Sequence, residues 1–187
     1  MINTVVFMGR PGSGKDVQSK VLASKLNGKL FSSGDRFRAI AKEDSVLGRK
    51  VAGILDSGNL APYWLASFLV GEIFLSIKGE EVIIFDGIGR QESEAKLFSE
   101  ICDWFERDFR IINLNISEQT GVERINNRHK TEGRSDDDNI QDRFKKYDAH
   151  TEPALEYFRS IGKVIDIDGE PLPEVVEKEI QEKLSQL

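Results

Sequence analysis

Gly9-Arg10-Pro11-Gly12-Ser13-Gly14-Lys15 directly follows the apolar run Thr4 to Met8 and leads into a segment of helical period. That string has the chemistry of a phosphate cradle. Gly9, Gly12 and Gly14 let backbone N–H groups converge on phosphate oxygens, and the helix opening behind them adds the positive end of its dipole. Lys15 supplies a charge that reaches the β and γ phosphates of a nucleoside triphosphate. A glycine-rich turn with an incidental lysine is the bland alternative, and the strand-loop-helix context argues against it. One position departs from the usual loop, whose lysine is followed by a Ser or Thr hydroxyl that helps hold Mg²⁺. Here Asp16 and Val17 follow. Asp16 either helps hold hydrated Mg²⁺ or points away as an acid in the first helical turn, where the dipole favours it.

The formal charge of −6 argues against broad nucleic-acid binding, which requires a basic face that neutralises many phosphates. Anion chemistry must use a local basic patch on an acidic body. Arg38, Arg90, Arg124, Arg128, Arg134 and Arg143 are the candidates for it, whereas Arg36, Arg49, Arg107, Arg110 and Arg159 read as solvated surface residues paired with acidic neighbours. One cysteine, Cys102, excludes an intramolecular disulfide and a Cys-Cys zinc clasp, and a reducing cytoplasm is the expected compartment. No apolar window is long enough to span a bilayer, and the N-terminus reads as a first strand rather than a leader, so no membrane partner is expected.

The elements that must position these residues follow from periodicity. Short β-branched runs alternate with helical stretches, the signature of βαβ units and a parallel sheet. Strands are expected at Thr4 to Met8, Lys29 to Phe31, Val82 to Phe85, Arg110 to Ile116 and Lys163 to Ile167. Helices are expected at Lys15 to Leu26, Asp35 to Ala41, Val46 to Leu55, Pro62 to Ile77, Glu92 to Phe109, Glu118 to His129, Asn139 to Ile161 and Pro173 to Leu187. At 187 residues, with 39% apolar and 31% charged residues, this is one α/β domain: a five-stranded parallel sheet flanked by helices, of the P-loop NTPase class. The surplus of helices between the second and third strands predicts an inserted lobe at about residues 32–62. A polar break at about 129–137 predicts a short flap, leaving a core of residues 1–31, 63–128 and 138–187.

From the glycine loop onward the chain resembles the adenylate kinase family, over nearly its whole length and in the family's order. Ser33-Gly34-Asp35-Arg36-Phe37-Arg38 resembles Thr-Gly-Asp-x-x-Arg. Leu47-Gly48 and Ser57 to Pro62 resemble the lobe that closes over the monophosphate, and Phe85-Asp86-Gly87-Ile88-Gly89-Arg90 is similar to Asp-Gly-Phe-Pro-Arg. Arg124, Arg128, Gly133 to Asp137, Arg143-x-x-x-Tyr147 and Thr151-Glu152-Pro153 resemble the ATP lid and its hinge helix.

The resemblance implies a nucleoside monophosphate kinase: reversible phosphoryl transfer from Mg-ATP to AMP, giving two ADP. It implies that Gly9, Pro11, Gly12, Ser13, Gly14, Lys15, Asp16 and Val17 bind ATP, with Arg124 stacked on its base. Ser33, Gly34, Arg38, Leu60, Ala61, Gly87, Arg90 and Glu94 would bind the acceptor, with Arg38 and Arg90 on its α-phosphate. Arg128, Arg134 and Arg143 would surround the phosphoryl group in flight, which needs charge neutralisation and positioning more than covalent help. Asp86 and Asp35 would order the water shell of Mg²⁺, and Asp136 and Asp137 would fasten the closed lid, although that run also reads as a solvated helix start with Asp138 as N-cap. The lid is too short for the zinc site of some relatives, and His129 and His150 read as surface or hinge residues. A monomer is expected.

Two departures touch the acceptor side. Ile88-Gly89 replaces Phe-Pro; a cis bond before glycine costs about 2.5–4 kcal/mol, so a trans bond is expected, with Gly89 in a backbone conformation open to few other residues. Glu94 stands where adenine-specific relatives carry glutamine. An ionised carboxylate only accepts, which suits the N1–H and N2–H₂ edge of guanine or one amino group of adenine or cytosine. GMP and CMP therefore remain rival acceptors, and the simple alternative makes Glu94 an exposed helix residue paired with lysines. A non-catalytic nucleotide sensor is a further alternative, motivated by Asp16, Val17 and the changed acceptor loop; retention of a second set of phosphate arginines argues against it. A kinase of a neutral metabolite would have no use for that second set either.

Overall fold

The computed structural model describes residues 2–132 and 140–186. The strands are β1 (Thr4–Gly9), β2 (Lys29–Ser32), β3 (Ile83–Asp86), β4 (Phe109–Asn115) and β5 (Val164–Asp168). They form a five-stranded, all-parallel sheet in the order β2-β3-β1-β4-β5. Because alternate side chains leave opposite faces of a strand, β1 sends Val6 and Met8 into one core and Val5 and Phe7 into another. Both faces are covered, as parallel sheets require.

On one face lie α4 (Tyr63–Ser76), α5 (Glu92–Trp104) and α8 (Glu152–Ser160). They bury a phenylalanine network in which Phe85 stands 5.8 Å from Phe74 and 5.6 Å from Phe98, and Phe109 stands 5.9 Å from Phe158. On the other face α1 (Lys15–Lys25) and α9 (Pro173–Ser185) contribute Leu22, Val176 and Ile180. Each such fully buried side chain stabilises the fold by about 1.5–3 kcal/mol. The expected inserted segment holds α2 (Ser33–Ala41) and α3 (Val46–Asp56), capped by Ser32 and Ser45 hydroxyls that accept from the N–H groups of Asp35 and Gly48.

Two expected helices are corrected. The stretch Glu92 to Phe109 stops at Trp104: Glu106 adopts φ 52°, Arg107 N–H donates back to Cys102 O at 2.8 Å, and Phe109 pairs with Thr4 in the sheet. The stretch Asn139 to Ile161 is split into α7 (Ile140–Lys146), a π-helical turn at Tyr147–Thr151, and α8. Pro153 explains the split. It has no N–H to give the carbonyl four residues back, so the ladder widens and the N–H of Glu152 reaches Tyr147 O instead. The expected helix Glu118 to His129 is present as α6 (Glu118–Glu132) and runs on past His129 to Glu132.

One arginine assigned to the surface is corrected as well. Arg107 is only 7% exposed and donates to Thr4 Oγ1 at 2.8 Å and to the carbonyls of Asn3 and Glu81. It closes the turn between α5 and β4 against the start of β1. Arg159 is exposed and pairs with Glu156 one turn earlier at 3.2 Å, as expected, and also reaches across to Asp166 in β5, which accepts from Asn113 and Asn115 Nδ2 at 2.8 and 3.0 Å. No helix among the described residues is long and apolar enough to cross a membrane.

Candidate active site

β1 and β3 end side by side, and the chain leaves each strand through glycine. Gly9, Gly12 and Gly14 take φ of 145°, 83° and 89°, which no other residue adopts without strain. The loop they form turns tightly enough for Ser13 N–H to donate to Arg10 O at 3.0 Å, and Gly14 is the N-cap of α1. Gly12 lies against α6, where a Cβ would stand 2.6 Å from Gly121 O. Lys15 turns back along the loop, its Nζ 3.4 Å from Gly9 O. The result is a nest of backbone donors around an ammonium group, an anion site built before any ligand arrives.

One cleft of about 570 Å³ joins this loop to the acceptor segments. Lys15, Arg38, Arg90, Arg124, Arg128 and Arg143 line it, together with Asp16, Val17, Ser33, Gly34, Gly87 and Ala61. The charges feel each other. Burial holds the Lys15 ammonium down to about 8, opposed by Asp86 and reinforced by the cations of Arg90, Arg143 and Arg128. Asp86 is pushed above the usual carboxylate range by burial, with the Lys15 charge opposing and the Asp16 charge adding to it. Its Oδ2 accepts from Ser32 Oγ at 3.3 Å, while Oδ1 is buried with no hydrogen-bond partner among the described residues.

That orphaned oxygen is the feature that fits Mg²⁺. Among the described residues no three His, Cys, Asp or Glu side chains gather to hold a metal directly. Mg²⁺ is commonly held by one or two carboxylates, waters and substrate phosphates, and Asp86 facing the Lys15 loop suits that arrangement. Asp16 forms an i,i+4 pair with Lys20 at 2.9 Å while still lining the cleft. Val17 offers no hydroxyl there. Asp35 lies outside the cleft lining, with its carboxylate 2.7 Å from Arg38 Nη2.

On the acceptor side, Ser33 Oγ donates to Gly87 O at 2.7 Å, stitching the inserted segment to the end of β3. Arg38 folds over Gly34, where a Cβ would come within 3.1 Å of its guanidinium. Gly89 has φ 64° and no cis peptide bond occurs among the described residues, as the Ile88-Gly89 replacement predicts. A smaller cavity of about 30 Å³ opens beside Arg90, lined by Phe31, Phe37, Leu60, Leu69 and Glu94. Glu94 is not the exposed, lysine-paired residue of the simpler reading. It is 7% exposed; Oε2 accepts from Arg90 N–H at 2.9 Å and Oε1 from Gln91 Nε2 at 2.9 Å, while the neighbouring Glu92 takes the lysine, Lys96. Burial raises its pKa against those hydrogen bonds.

On the donor side, Arg124 donates to the carbonyls of Gly169 and Glu170 at 2.9 and 3.1 Å. Its guanidinium is pinned at the cleft rim beside Pro171, Leu172 and Pro173, an apolar wall that sequence reasoning missed. Two prolines in a short strand-to-helix connection were its only sequence signal. Gln18 Nε2 locks that wall to α1 through Pro173 O at 2.8 Å. Lys146 was missed too: it lines the cleft from α7 and donates to Ser57 O in the inserted segment at 2.9 Å. Arg134, Asp136 and Asp137, and the N-cap expected at Asp138, lie outside the described residues.

A doubly wound parallel sheet with a glycine loop after β1, a lysine in that loop and a cationic cleft at the strand ends defines a P-loop phosphotransferase. Residues 7–163 match the family model described as adenylate kinase. The chain is 33% identical to the adenylate kinase of Chlamydia muridarum over 96% of its own length and 86% of the relative's. It is 33% identical to that of Bacteroides fragilis over 90% of each chain, and 31% identical to that of Azobacteroides pseudotrichonymphae over 100% of this chain and 99% of the other. The chain belongs to the adenylate kinase family. It is accordingly an ATP-dependent nucleoside monophosphate kinase.

Proposed function

We propose that this chain catalyses reversible transfer of the terminal phosphoryl group of Mg-ATP to AMP, giving two ADP. The supporting observation is the convergence of two cationic grips on one cleft. Lys15 comes from the loop after β1, and Arg90 from beyond β3, close enough for the Arg90 charge to help lower the Lys15 pKa. ATP would lie with its phosphates in the Gly9–Lys15 loop and its base against Arg124 and the Gly169–Pro173 wall. The acceptor α-phosphate would sit between Arg38 and Arg90, its base towards Leu60, Ala61 and Glu94.

Transfer between two anions is chiefly a matter of alignment and charge neutralisation. Lys15, Arg128 and Arg143, joined by Arg134, would neutralise the three equatorial oxygens as the phosphoryl group moves. Planar guanidinium forks suit this because each contacts two oxygens at fixed geometry. Asp86 would hold the water shell of Mg²⁺, which would supply charge neutralisation at the phosphates, with Asp35 paired to Arg38 and Asp16 engaged by Lys20. Closure of the segment at about 32–62 over the acceptor and of the lid at about 129–137 over ATP would exclude water, and Asp136 and Asp137 would fasten that lid. Lys146, already bonded to Ser57, would draw the two together. One chain carries every group the reaction needs, so the catalytic unit is a monomer, and the lone Cys102 suits a reducing cytoplasm.

One observation favours a second acceptor. The Glu94 carboxylate offers only acceptors to the base cavity, which suits the paired donors of guanine. A coupled assay of ADP formation from ATP with AMP, GMP, CMP and UMP in turn tests both readings, with Lys15→Ala as the control. Turnover with AMP above the others supports the main reading, and GMP above AMP the second. No turnover with any acceptor overturns both and leaves a nucleotide sensor.

A further inference from the structure

Arg10 belongs to the phosphate loop, yet its side chain lies outside the lining of the cleft. It turns the other way, towards the π-helical turn behind α7. Its Nη2 donates to Asp148 Oδ1 at 3.1 Å, and its guanidinium carbon stands 5.9 Å from the centre of the Tyr147 ring. Tyr147 is 4% exposed, so that ring is a fixed platform. The turn that Pro153 enforces carries both groups that hold this arginine.

The backbone of Arg10 works inward while its side chain works outward. Its carbonyl accepts from Ser13 N–H at 3.0 Å and so closes the turn that aims the N–H groups of the loop. A loop with three glycines at positive φ has little stiffness of its own. It is braced from outside at two places. Pro11 and Gly12 press on α6 at Gly121, where a Cβ would stand 2.7 Å from Pro11 O and 2.7 Å from the Phe144 ring of α7. Arg10 supplies the second brace, to Asp148 and Tyr147. The helices α6 and α7 flank residues 133–139, so both braces join the phosphate loop to the stems of the expected lid. Helix α7 also carries Arg143, which lines the cleft and whose charge acts on Lys15. Tyr147 follows it by four residues, about one helical turn.

We infer that Arg10 is a positioning residue for phosphoryl transfer: by clasping Asp148 and Tyr147 it sets the distance between the Lys15 loop and the Arg143 guanidinium across the transferred group. The inference rests on the phosphotransfer reading and adds a residue to it. An exposed ion pair contributes little to global stability, because water screens it and two long side chains must be ordered. Holding a hinge is a smaller task than resisting unfolding. It matters here because a misplacement of about 1 Å can cost about a hundredfold in rate. Direct contact of Arg10 with the polyphosphate fits less well, since its guanidinium is engaged away from the cleft.

Steady-state kinetics with ATP and AMP, run beside urea unfolding, test the assignment. Arg10→Ala should lower kcat about tenfold, with both KM values within about twofold of the parent and the urea midpoint unchanged. Arg10→Lys keeps a charge that can pair with Asp148 and should stay within about threefold of the parent kcat. Asp148→Asn should lose about threefold, because the ring still holds the guanidinium. In an Arg143→Ala background the loss from Arg10→Ala should shrink below about twofold, since the group it positions is gone. Hydrogen exchange of the nucleotide-free chain needs no turnover: amides within residues 9–15 and 140–151 should both exchange faster in Arg10→Ala. An unchanged kcat, a tenfold rise in KM for ATP, or an undiminished loss in the Arg143→Ala background would each overturn the inference. A parent without turnover would instead overturn the phosphotransfer reading, and exchange indifferent to Arg10→Ala in either segment would then remove the clasp as well.

Discussion

Glu94 Oε2 accepts the backbone N–H of Arg90 at 2.9 Å, so the residue that borders the base cavity also holds the arginine assigned to the acceptor phosphate. Its burial raises the pKa, and the protonation state therefore changes what the cavity offers. Protonated, the acid has one donor and acceptor capacity, as adenine's N1 and amino group require; ionised, it has acceptors only. The ratio of kcat/KM for AMP to that for GMP should rise as pH falls and drop as pH rises through the shifted pKa. Glu94→Gln should flatten this dependence and favour AMP by about tenfold, one hydrogen bond's discrimination. A ratio independent of pH in the parent would remove Glu94 from base reading.

Lys15 gives the opposite titration. Its folded pKa of about 8 lies below the ordinary 10.5, so between those values the unfolded chain binds more protons than the native one. The parent should gain stability over that window relative to Lys15→Met, read as the difference between their denaturant midpoints against pH. For catalysis the charged amine is the useful form. The kcat/KM for ATP should fall as pH rises above about 8, and Lys15→Ala should lose about 10²–10³-fold in kcat at neutral pH.

Asp86 and Asp16 should separate in a Mg²⁺ titration. Asp86 Oδ1 is buried and unpartnered among the described residues, whereas Asp16 is engaged by Lys20. Asp86→Asn should raise the Mg²⁺ concentration for half-maximal activity by about 10–100-fold, and Asp16→Gly should leave it within about twofold. A large shift in Asp16→Gly would assign the second carboxylate to the metal.

Arg107 is a structural residue, and its removal should behave as one. Arg107→Ala strips partners from Thr4 Oγ1 and the Asn3 and Glu81 carbonyls. Thermal or urea unfolding should report a loss of about 2–4 kcal/mol, with KM for both nucleotides unchanged at low temperature.

Local chemistry was enough for much of this protein. The glycine loop, the strand that precedes it and the helix that follows are specified within the first 26 residues, because glycine φ freedom, β-branched alternation and helical period are short-range properties. The same holds for Gly89, whose positive φ follows from the absence of a proline and a Cβ. Sequence spacing failed where a side chain's partner is remote. Arg107 looks like an ordinary surface cation until β1 comes alongside. Nothing near Glu94 in sequence announces burial, and its neighbour Glu92 takes the lysine that periodicity would have offered it. The split at Tyr147–Thr151 came from Pro153 acting on a carbonyl one turn earlier, a clash that apolar periodicity does not register.

The sequence alone determined which groups can carry charge to a phosphate and the order in which the chain presents them, since both are properties of residue type and connectivity. The tertiary structure decided which of them meet. Arg38, Arg90, Arg128 and Arg143 come from four separate segments, and only the parallel sheet, by ending β1 and β3 side by side, brings them around Lys15. That convergence costs mutual repulsion and desolvation, visible in the lowered Lys15 pKa, and the packed cores on both sides of the sheet supply the stability that holds it in place.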